Sequence, residues 1–183
     1  MATVTHAEAS PEGLLTIEDR PMPELVAGDL LEREMGQKSD SIAATILILI
    51  GIYVRKHGLG LCNGGQGSYQ IFPDDPRMIR IPDVSFTRKD RLPEEGPSWG
   101  HSRVAPDLVV EVVSPNDLAE PLQRKIDDYL TVGIPLVWAV YPECRTVLVH
   151  RPDGSANRLR VGDQLDGEDV VPGFRCEVAA LFE

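Results

Sequence analysis

The hydrophobic pattern of the chain is least interrupted over residues 42–54, "IAATILILIGIYV", which include no charged side chain. A helix that crosses a bilayer takes about 20 apolar residues, so this run is too short for one. Ser39 or Asp40 can cap the start of a helix here, and Gly58 can end it after a cationic last turn. The pattern predicts a helix in the core of a folded domain.

The second half of the chain alternates between strand-like and helix-like patterns. The stretch "APDLVVEVVSPND" at residues 105–117 is typical of a buried strand that ends at Pro115, and residues 121–132 have the period of an amphipathic helix. Another apolar strand is predicted at residues 134–142, and a hairpin follows around "PDG". A strand, a helix and a strand in this order predict a parallel, right-handed unit whose first strand is central in its sheet.

Shorter patterns in the first half complete the predicted architecture. Strands are indicated at residues 30–35, near Gly60, near Ser68 and at residues 78–87, with glycine-rich and Pro-Asp turns between them. With the two helices they indicate the α/β (α+β) class, as a mixed β-sheet flanked by helices. We expect a flexible N-terminal arm at residues 1–13 and a single domain at residues 14–183.

The charge and the cysteine content indicate which partners and which cellular location suit this domain. The 183 residues carry a net charge of −11, which repels polyanions at long range. The sequence also has no basic tail of the kind seen in nucleic-acid binders. A divalent metal can offset acidic sites locally, so a function on DNA stays open. Three widely separated cysteines and the lack of a secretory signal pattern favour a cytoplasmic protein. We predict no membrane partner.

Glu111 is the residue that this pattern least explains, because it interrupts the apolar run of a buried strand. An ionised carboxylate there loses its hydration at a cost of several kcal/mol, roughly, unless cations or hydrogen-bond donors replace the water. Side chains alternate along a strand, so Asp107 shares the face of Glu111. Their α-carbons are about 13 Å apart, however, which makes it difficult for both carboxylates to bind one metal ion. The partner of Glu111 is therefore expected from another element.

Asp83 and Lys125 are the partners that the sequence offers. Asp83 lies in the strand-like run "MIRIPDVSFT", and two acids on adjacent strands can bind Mg²⁺ or Mn²⁺ while leaving positions for water and a phosphate oxygen. Lys125 falls on the apolar stripe of its predicted helix and so points toward the sheet, whereas Asp128 lies off that stripe. The structural alternatives are that Asp83 ends a loop, that Lys125 extends to solvent, or that Glu111 pairs with a buried arginine.

Four ordered blocks of the sequence resemble the Uma2 family of restriction-endonuclease-like proteins. They are "RIPDVSF", "APDLVVEVVSPND", "KIDDYLTVGIPLVWAVYPECRTVLVHRPDG" and "GDQLDGEDVVPGFRCEVAALF", and the resemblance extends over residues 15–183. The family is assigned to the PD-(D/E)xK nuclease superfamily, which implies a mixed sheet flanked by helices and a divalent-metal site. Asp107 occupies the family's second Pro-Asp pair, and its distance from Glu111 assigns it a supporting or structural position.

The resemblance implies a role for each remaining candidate. Asp83 and Glu111 correspond to the two acids of the motif, as catalytic residues and metal ligands, and Lys125 corresponds to a motif lysine displaced onto a helix. Val113 stands at the usual position of that lysine. Glu32 resembles the family's early glutamate, which completes the metal site. The implied function is hydrolysis of DNA that depends on Mg²⁺ or Mn²⁺, and a homodimer is expected because two-fold DNA sites are commonly matched by two-fold proteins.

A second class of function fits the same residues. The acidic net charge and Val113 favour a catalytically inactive nuclease fold that serves as a binding or assembly module. Such a module predicts no divalent-metal binding and little effect of replacing Asp83 or Glu111 on partner binding. Metal binding therefore separates the two functions.

Overall fold

The computed structural model describes residues 9–17, 22–32, 36–115 and 117–183, and its central feature is a six-stranded β-sheet. In spatial order, with labels that follow the chain, its strands are β3 (Gly60–Gly64), β4 (Val84–Arg88), β5 (Leu108–Val112), β6 (Leu136–Tyr141), β7 (Thr146–His150) and β8 (Ala156–Arg160). Neighbouring strands are antiparallel except β5 and β6, which are parallel and are connected by α3 (Ala119–Thr131). The predicted mixed sheet, its parallel unit and its hairpin are confirmed.

The two faces of this sheet are covered by different helices. Leu108, Val110 and Val112 of β5 belong to the core under α2 (Gln37–His57). Val109 belongs instead to the core under α3. Because side chains alternate along β5, Glu111 points to the α3 face, between two neighbouring strands that exclude water from its edges.

Helix α2 is longer than predicted. It begins at Gln37 after Gly36, which has no capping side chain, so the prediction that Ser39 or Asp40 caps it is wrong. Gln37 and Lys38, which are favourable helix formers, begin the first turn ahead of the apolar run. Gly58 ends the helix at φ 64°, as predicted, because a glycine adopts the left-handed conformation without strain.

By length and composition alone, α2 resembles a membrane-spanning helix. An 18-residue window of it has a mean hydropathy of 1.3, and a third of that window is buried within the protein. A core helix meets the same criterion, and one face of α2 packs on the sheet.

Helix α3 begins at Ala119, two residues before its predicted start, and Pro121 is its third residue. A proline is tolerated there because N–H groups of the first helical turn have no acceptor within the helix. Gly133, at φ 84°, follows the C-terminal end. The apolar stripe of α3 includes Ile126 and Tyr129, which are buried against the sheet.

The strand predicted near Gly60 is confirmed as β3, whereas the other strands predicted in the first half are shorter or absent. In place of a strand at residues 78–87, β4 begins only at Val84, because Pro82 lacks the N–H group that a strand ladder requires. Near Ser68 the chain forms isolated bridges of Tyr69 and no strand. The strand predicted at residues 30–35 is present only over its first two residues, as part of β2 (Asp29–Leu31), and residues 33–35 lie outside the described residues.

A short hairpin connects the start of the chain to the sheet. In it, β1 (Glu24–Val26) pairs with β2, and Leu25 exchanges backbone hydrogen bonds with Ile79. This pairing places Glu24 beside the segment that leads into β4. A second hairpin pairs β9 (Gln164–Asp166) with β10 (Arg175–Glu177).

The N-terminal arm predicted at residues 1–13 extends too far. Residues 1–8 lie outside the described chain, but α1 (Pro11–Leu14) packs on the domain, with Pro11 and Leu14 buried. The Nε2 atom of His101 donates a hydrogen bond to the carbonyl of Pro11, which fixes this helix to the loop before β5. The three cysteines are unpaired, and the cytoplasmic location stays a prediction.

Candidate active site

Two side chains from α3 donate to the buried carboxylate of Glu111 and so compensate for its burial. The ammonium nitrogen of Lys125 lies 2.8 Å from Oε2 of Glu111, and the hydroxyl group of Tyr129 donates to Oε1 at 2.9 Å. Lys125 and Tyr129 are four residues apart, so they occupy the same face of the helix. With Glu111 only 5% exposed, these donors replace the water that its carboxylate loses in the strand.

Lys125 also bridges to a second buried acid, Glu24 of β1. Its ammonium nitrogen lies 2.9 Å from Oε1 of Glu24. The same carboxylate accepts hydrogen bonds from the backbone N–H of Ile81 and from the guanidinium of Arg80, both at 2.8 Å. The hairpin β1–β2 is therefore attached to the sheet and to α3 through Glu24.

Arg80 is the second buried cation at this place. It is ion-paired with Glu24 and, through Nε and Nη2, with the carboxylate of Asp128 on α3. Asp128 lies off the apolar stripe of α3 and is 31% exposed, but it still joins the site, because Arg80 reaches up to the flank of the helix. One alternative was that Glu111 pairs with a buried arginine. The structure does contain a buried arginine here, Arg80, but its ion pairs are with Glu24 and Asp128.

Asp83 approaches Glu111 from the neighbouring strand. It immediately precedes β4, and the register that pairs Val84 with Val110 places Asp83 opposite Glu111. Its Oδ2 accepts a hydrogen bond of 2.7 Å from the backbone N–H of Val112, which holds the carboxylate at this edge of β5. Asp83 is buried, as Glu111 is. We call the set of six side chains the charged cluster: Glu24, Arg80, Asp83, Glu111, Lys125 and Asp128.

The charges in this cluster perturb one another. Burial raises the pKa of Glu111 to about 7, against the opposing effect of Lys125, and the negative charges of Asp83 and Glu24 add to the rise. Burial alone would raise the pKa of Glu24 too, but Lys125 and Arg80 hold it below its ordinary value. The protein therefore stabilises the ionised form of Glu111 less than the ionised form of Glu24.

The cations remain charged. Burial opposes the ammonium form of Lys125, but Glu111, Glu24 and Asp83 outweigh that effect and keep the pKa of Lys125 above its ordinary value. Burial and the nearby Glu111 charge raise the pKa of the Tyr129 hydroxyl well above its usual value. At neutral pH, Lys125 is therefore cationic and Tyr129 is a neutral hydrogen-bond donor.

The donor chemistry of the cluster fits a hard divalent cation. Its four carboxylates face two cations, which leaves two surplus negative formal charges among these side chains. Within the described residues, no group of three or more His, Cys, Asp or Glu side chains is arranged to hold a metal ion. Mg²⁺, however, is commonly bound by one or two carboxylates with water and substrate oxygens. Asp83 and Glu111, which lie opposite each other on adjacent strands, are the carboxylates that would hold such a cation.

The cluster opens to solvent through a cavity of about 190 Å³. Glu32, the predicted third metal ligand, is exposed and borders this cavity, as do the apolar side chains of Leu31 and Leu118. The structure thus brings Glu32 to the site without placing it in the buried cluster, and its metal-binding role stays a prediction.

Asp107 lies away from this cavity. Its carboxylate accepts hydrogen bonds from the guanidinium of Arg91 at 2.7 Å and from the backbone N–H of Arg88 at 2.8 Å. It fixes the loop after β4 to the start of β5, at the opposite end of the strand from Glu111. Of the two positions considered for Asp107, its contacts favour the structural one.

Sequence reasoning missed Glu24, Arg80 and Tyr129 as members of the site. Arg80 stands between apolar residues in "MIRIPD", which is the same signal that singled out Glu111. Tyr129 follows Lys125 by four residues on the apolar stripe of α3, and the helical period gives no partner for its hydroxyl group. Glu24 carries no comparable signal, because its position depends on the pairing of Leu25 with Ile79.

The comparisons with known proteins agree with this geometry at the level of fold and family. The family model Uma2, described as "Putative restriction endonuclease", matches residues 11–179. The crystal structure of a protein from Anabaena variabilis, described as a "putative nuclease belonging to DUF820", superposes with a TM-score of 0.82 at 20% identity. The match covers 95% of this chain and 97% of that one, and at this identity it shows the shared fold. No curated protein matches the chain. Because the family model matches most of its length, this protein belongs to the Uma2 family.

Proposed function

We propose that this protein is a nuclease that uses Mg²⁺ or Mn²⁺ to hydrolyse phosphodiester bonds in DNA. The observation that carries the proposal is the meeting of Asp83 and Glu111 on adjacent strands, with the ammonium group of Lys125 2.8 Å from Glu111. The family description and the name of the structural neighbour, both of which refer to nucleases, support the same reaction. Neither of them specifies a metal or a substrate.

In this proposal, Asp83 and Glu111 hold the cation, and Glu32 at the mouth of the cavity is a further candidate ligand. When bound, such a cation supplies polarisation of a phosphodiester and a lowered pKa of water. The ionised form of Glu111 is required for binding, so the raised pKa of this carboxyl makes metal affinity depend on pH near neutrality.

Lys125 acts electrostatically. Because its pKa is raised, it stays protonated and is not a general base. Its positive charge, held in a buried site by Glu111 and Glu24, is suited to stabilising negative charge that develops on a phosphate. Tyr129 and Glu24 position the two partners: Tyr129 orients the carboxylate of Glu111, and Glu24 orients the ammonium group of Lys125.

The competing function is a binding or assembly module without catalysis. Two observations favour it: the net charge of −11, and the fact that both oxygens of Glu111 already accept hydrogen bonds within the protein. A module of this kind needs Lys125 only to neutralise buried acids. The cytoplasmic location that we predict is compatible with either function.

Cleavage of supercoiled plasmid by the purified chain separates the two functions. We expect nicking with Mg²⁺ or Mn²⁺ that stops with EDTA and falls by about 100-fold or more in Glu111→Gln, because one metal ligand is lost. Glu120→Gln is the matched control, since Glu120 is an exposed acid on α3, and it should retain full activity. Calorimetry with Mn²⁺ should show binding by the native protein and a loss of affinity in Asp83→Asn.

Two results would overturn the proposal. One is the absence of cleavage of duplex DNA, single-stranded DNA and RNA by metal-loaded protein. The other is the absence of any calorimetric signal with Mn²⁺, which would favour the module. Cleavage of RNA alone would retain the reaction and change the substrate.

A further inference from the structure

Helix α2 has two apolar faces, and one of them is left uncovered by the residues that the structure describes. The buried face packs on the sheet and consists of Ile42, Ala43, Ile46, Ile50 and Val54. On another face, Ile48 and Ile52 are 58% and 65% exposed. Contiguous exposed apolar surface commonly marks an interaction site, whereas apolar side chains exposed singly do not.

A groove runs along this second face. It has a volume of about 810 Å³ and lies between α2 and β3, which is an edge strand of the sheet. Leu47 and Gly51 line it from the helix, and Leu61 lines it from the strand. A Cβ atom placed on Gly51 would meet no atom within 4 Å, so the helix backbone is open to close approach at this point.

The groove lies beside part of a longer exposed stripe of α2, which continues past the groove toward the start of the helix. At 100° per residue, positions 40, 44, 47, 48, 51 and 55 lie on the same side of the helix. The stripe begins with the exposed acid Asp40, continues through Ala44, Leu47 and Gly51, and ends with the exposed base Arg55. Its midpoint falls between residues 47 and 48.

We propose that this face of α2 binds the same face of a second copy of the chain, in an antiparallel pair about a two-fold axis. Reversing the helix about the midpoint of the stripe brings Asp40 of each copy opposite Arg55 of the other. It also brings Ala44 opposite Gly51 and Leu47 opposite Ile48. Small residues then face small residues, which lets the two helices approach closely while the larger side chains fill the groove.

Charge complementarity identifies the occupant as a second copy. A two-fold interface uses one patch twice, so a patch with an acid at one end and a base at the other is complementary to itself in the antiparallel orientation. A parallel pair would bring like charges together. A bilayer is a less suitable partner. If the exposed isoleucines entered it, Asp40 and Arg55 near the two ends of the helix would be brought to the same depth with no compensating charge. This inference does not depend on the proposed nuclease function.

Sedimentation velocity of the full chain over a concentration series tests the pairing. We expect a dimer that Asp40→Arg or Arg55→Asp each weakens by about tenfold or more, because each change places like charges opposite one another twice. The double variant Asp40→Arg/Arg55→Asp should return to within about threefold of the native dissociation constant, since it exchanges the two ends of every pair. Such rescue is not expected if the substitutions act through folding.

Ile48→Asp should weaken the dimer by about 100-fold or more, because it introduces a charge at the centre of the interface. Val161→Asp, at an exposed apolar residue outside α2, is the matched control and should leave the dimer unchanged. Unaltered far-ultraviolet circular dichroism of each variant verifies the fold. A monomer at about 100 μM native protein, failure of the double variant to recover, or sedimentation with anionic vesicles in place of dimerisation overturns the proposal.

Discussion

The ammonium nitrogen of Lys125 lies between two buried carboxylates, 2.8 Å from Glu111 and 2.9 Å from Glu24. One charge on α3 therefore connects the central strand β5 with the hairpin β1–β2. The arrangement is both a structural ion-pair network and the core of the candidate active site, and the two roles respond differently to mutation.

The first prediction concerns stability without metal. Lys125→Met should lower the free energy of unfolding by about 3 kcal/mol, because it leaves Glu111 and Glu24 buried without a shared cation. Arg124→Met is the matched control, since Arg124 is the adjacent residue on α3 and its ion pair with Glu120 is exposed. Its cost should be at most about 0.5 kcal/mol. Urea unfolding in EDTA measures both values, and equal losses would show that Lys125 does not hold the buried acids.

The second prediction isolates the Tyr129 hydroxyl group. Tyr129→Phe should cost about 1–3 kcal/mol, because a buried oxygen of Glu111 loses its donor while the packing of the ring is kept. Tyr53→Phe provides the comparison: its hydroxyl group donates to the carbonyl of Pro172 at an exposed position and should cost about 1 kcal/mol or less.

Calorimetric Mn²⁺ titration of the same Tyr129→Phe protein adds a readout that packing alone does not change. If Tyr129 orients Glu111, the variant should bind Mn²⁺ more weakly than Tyr53→Phe does. Identical affinities for the two variants would limit Tyr129 to a structural role.

The third prediction is a pH dependence that originates at Glu111. Its pKa in the folded protein is about 7 against an ordinary value of 4.5, so between these two pH values the folded state binds more protons than the unfolded state. The contribution of this carboxyl to the free energy of unfolding therefore falls as pH rises from about 4.5 to 7 and is constant above that range. Thermal unfolding in EDTA should show Glu111→Gln gaining stability relative to the native protein as pH rises from 5 to 7.5. A difference that does not vary with pH would contradict the raised pKa.

The amino-acid sequence by itself determined the strand–helix–strand unit of β5, α3 and β6 and the face of β5 on which Glu111 lies. The alternation in residues 108–112 assigned Glu111 to one face and the valines beside it to the other, because side-chain direction in a strand depends only on parity. The helical period likewise directed Lys125 toward the sheet, since the apolar face of α3 must pack there. Glycines ended the helices where the sequence placed them, at Gly58 and Gly133.

Tertiary structure alone decided which groups surround Glu111. Asp83 reaches it through the pairing of β4 with β5, whereas Glu24 and Arg80 arrive with a hairpin whose position rests on the contact between Leu25 and Ile79. Asp128 joined the cluster although its helical position argued against it, because Arg80 is long enough to reach the flank of α3. Parity and period are local properties of the chain, whereas the meeting of charges from four segments depends on packing between residues far apart in sequence.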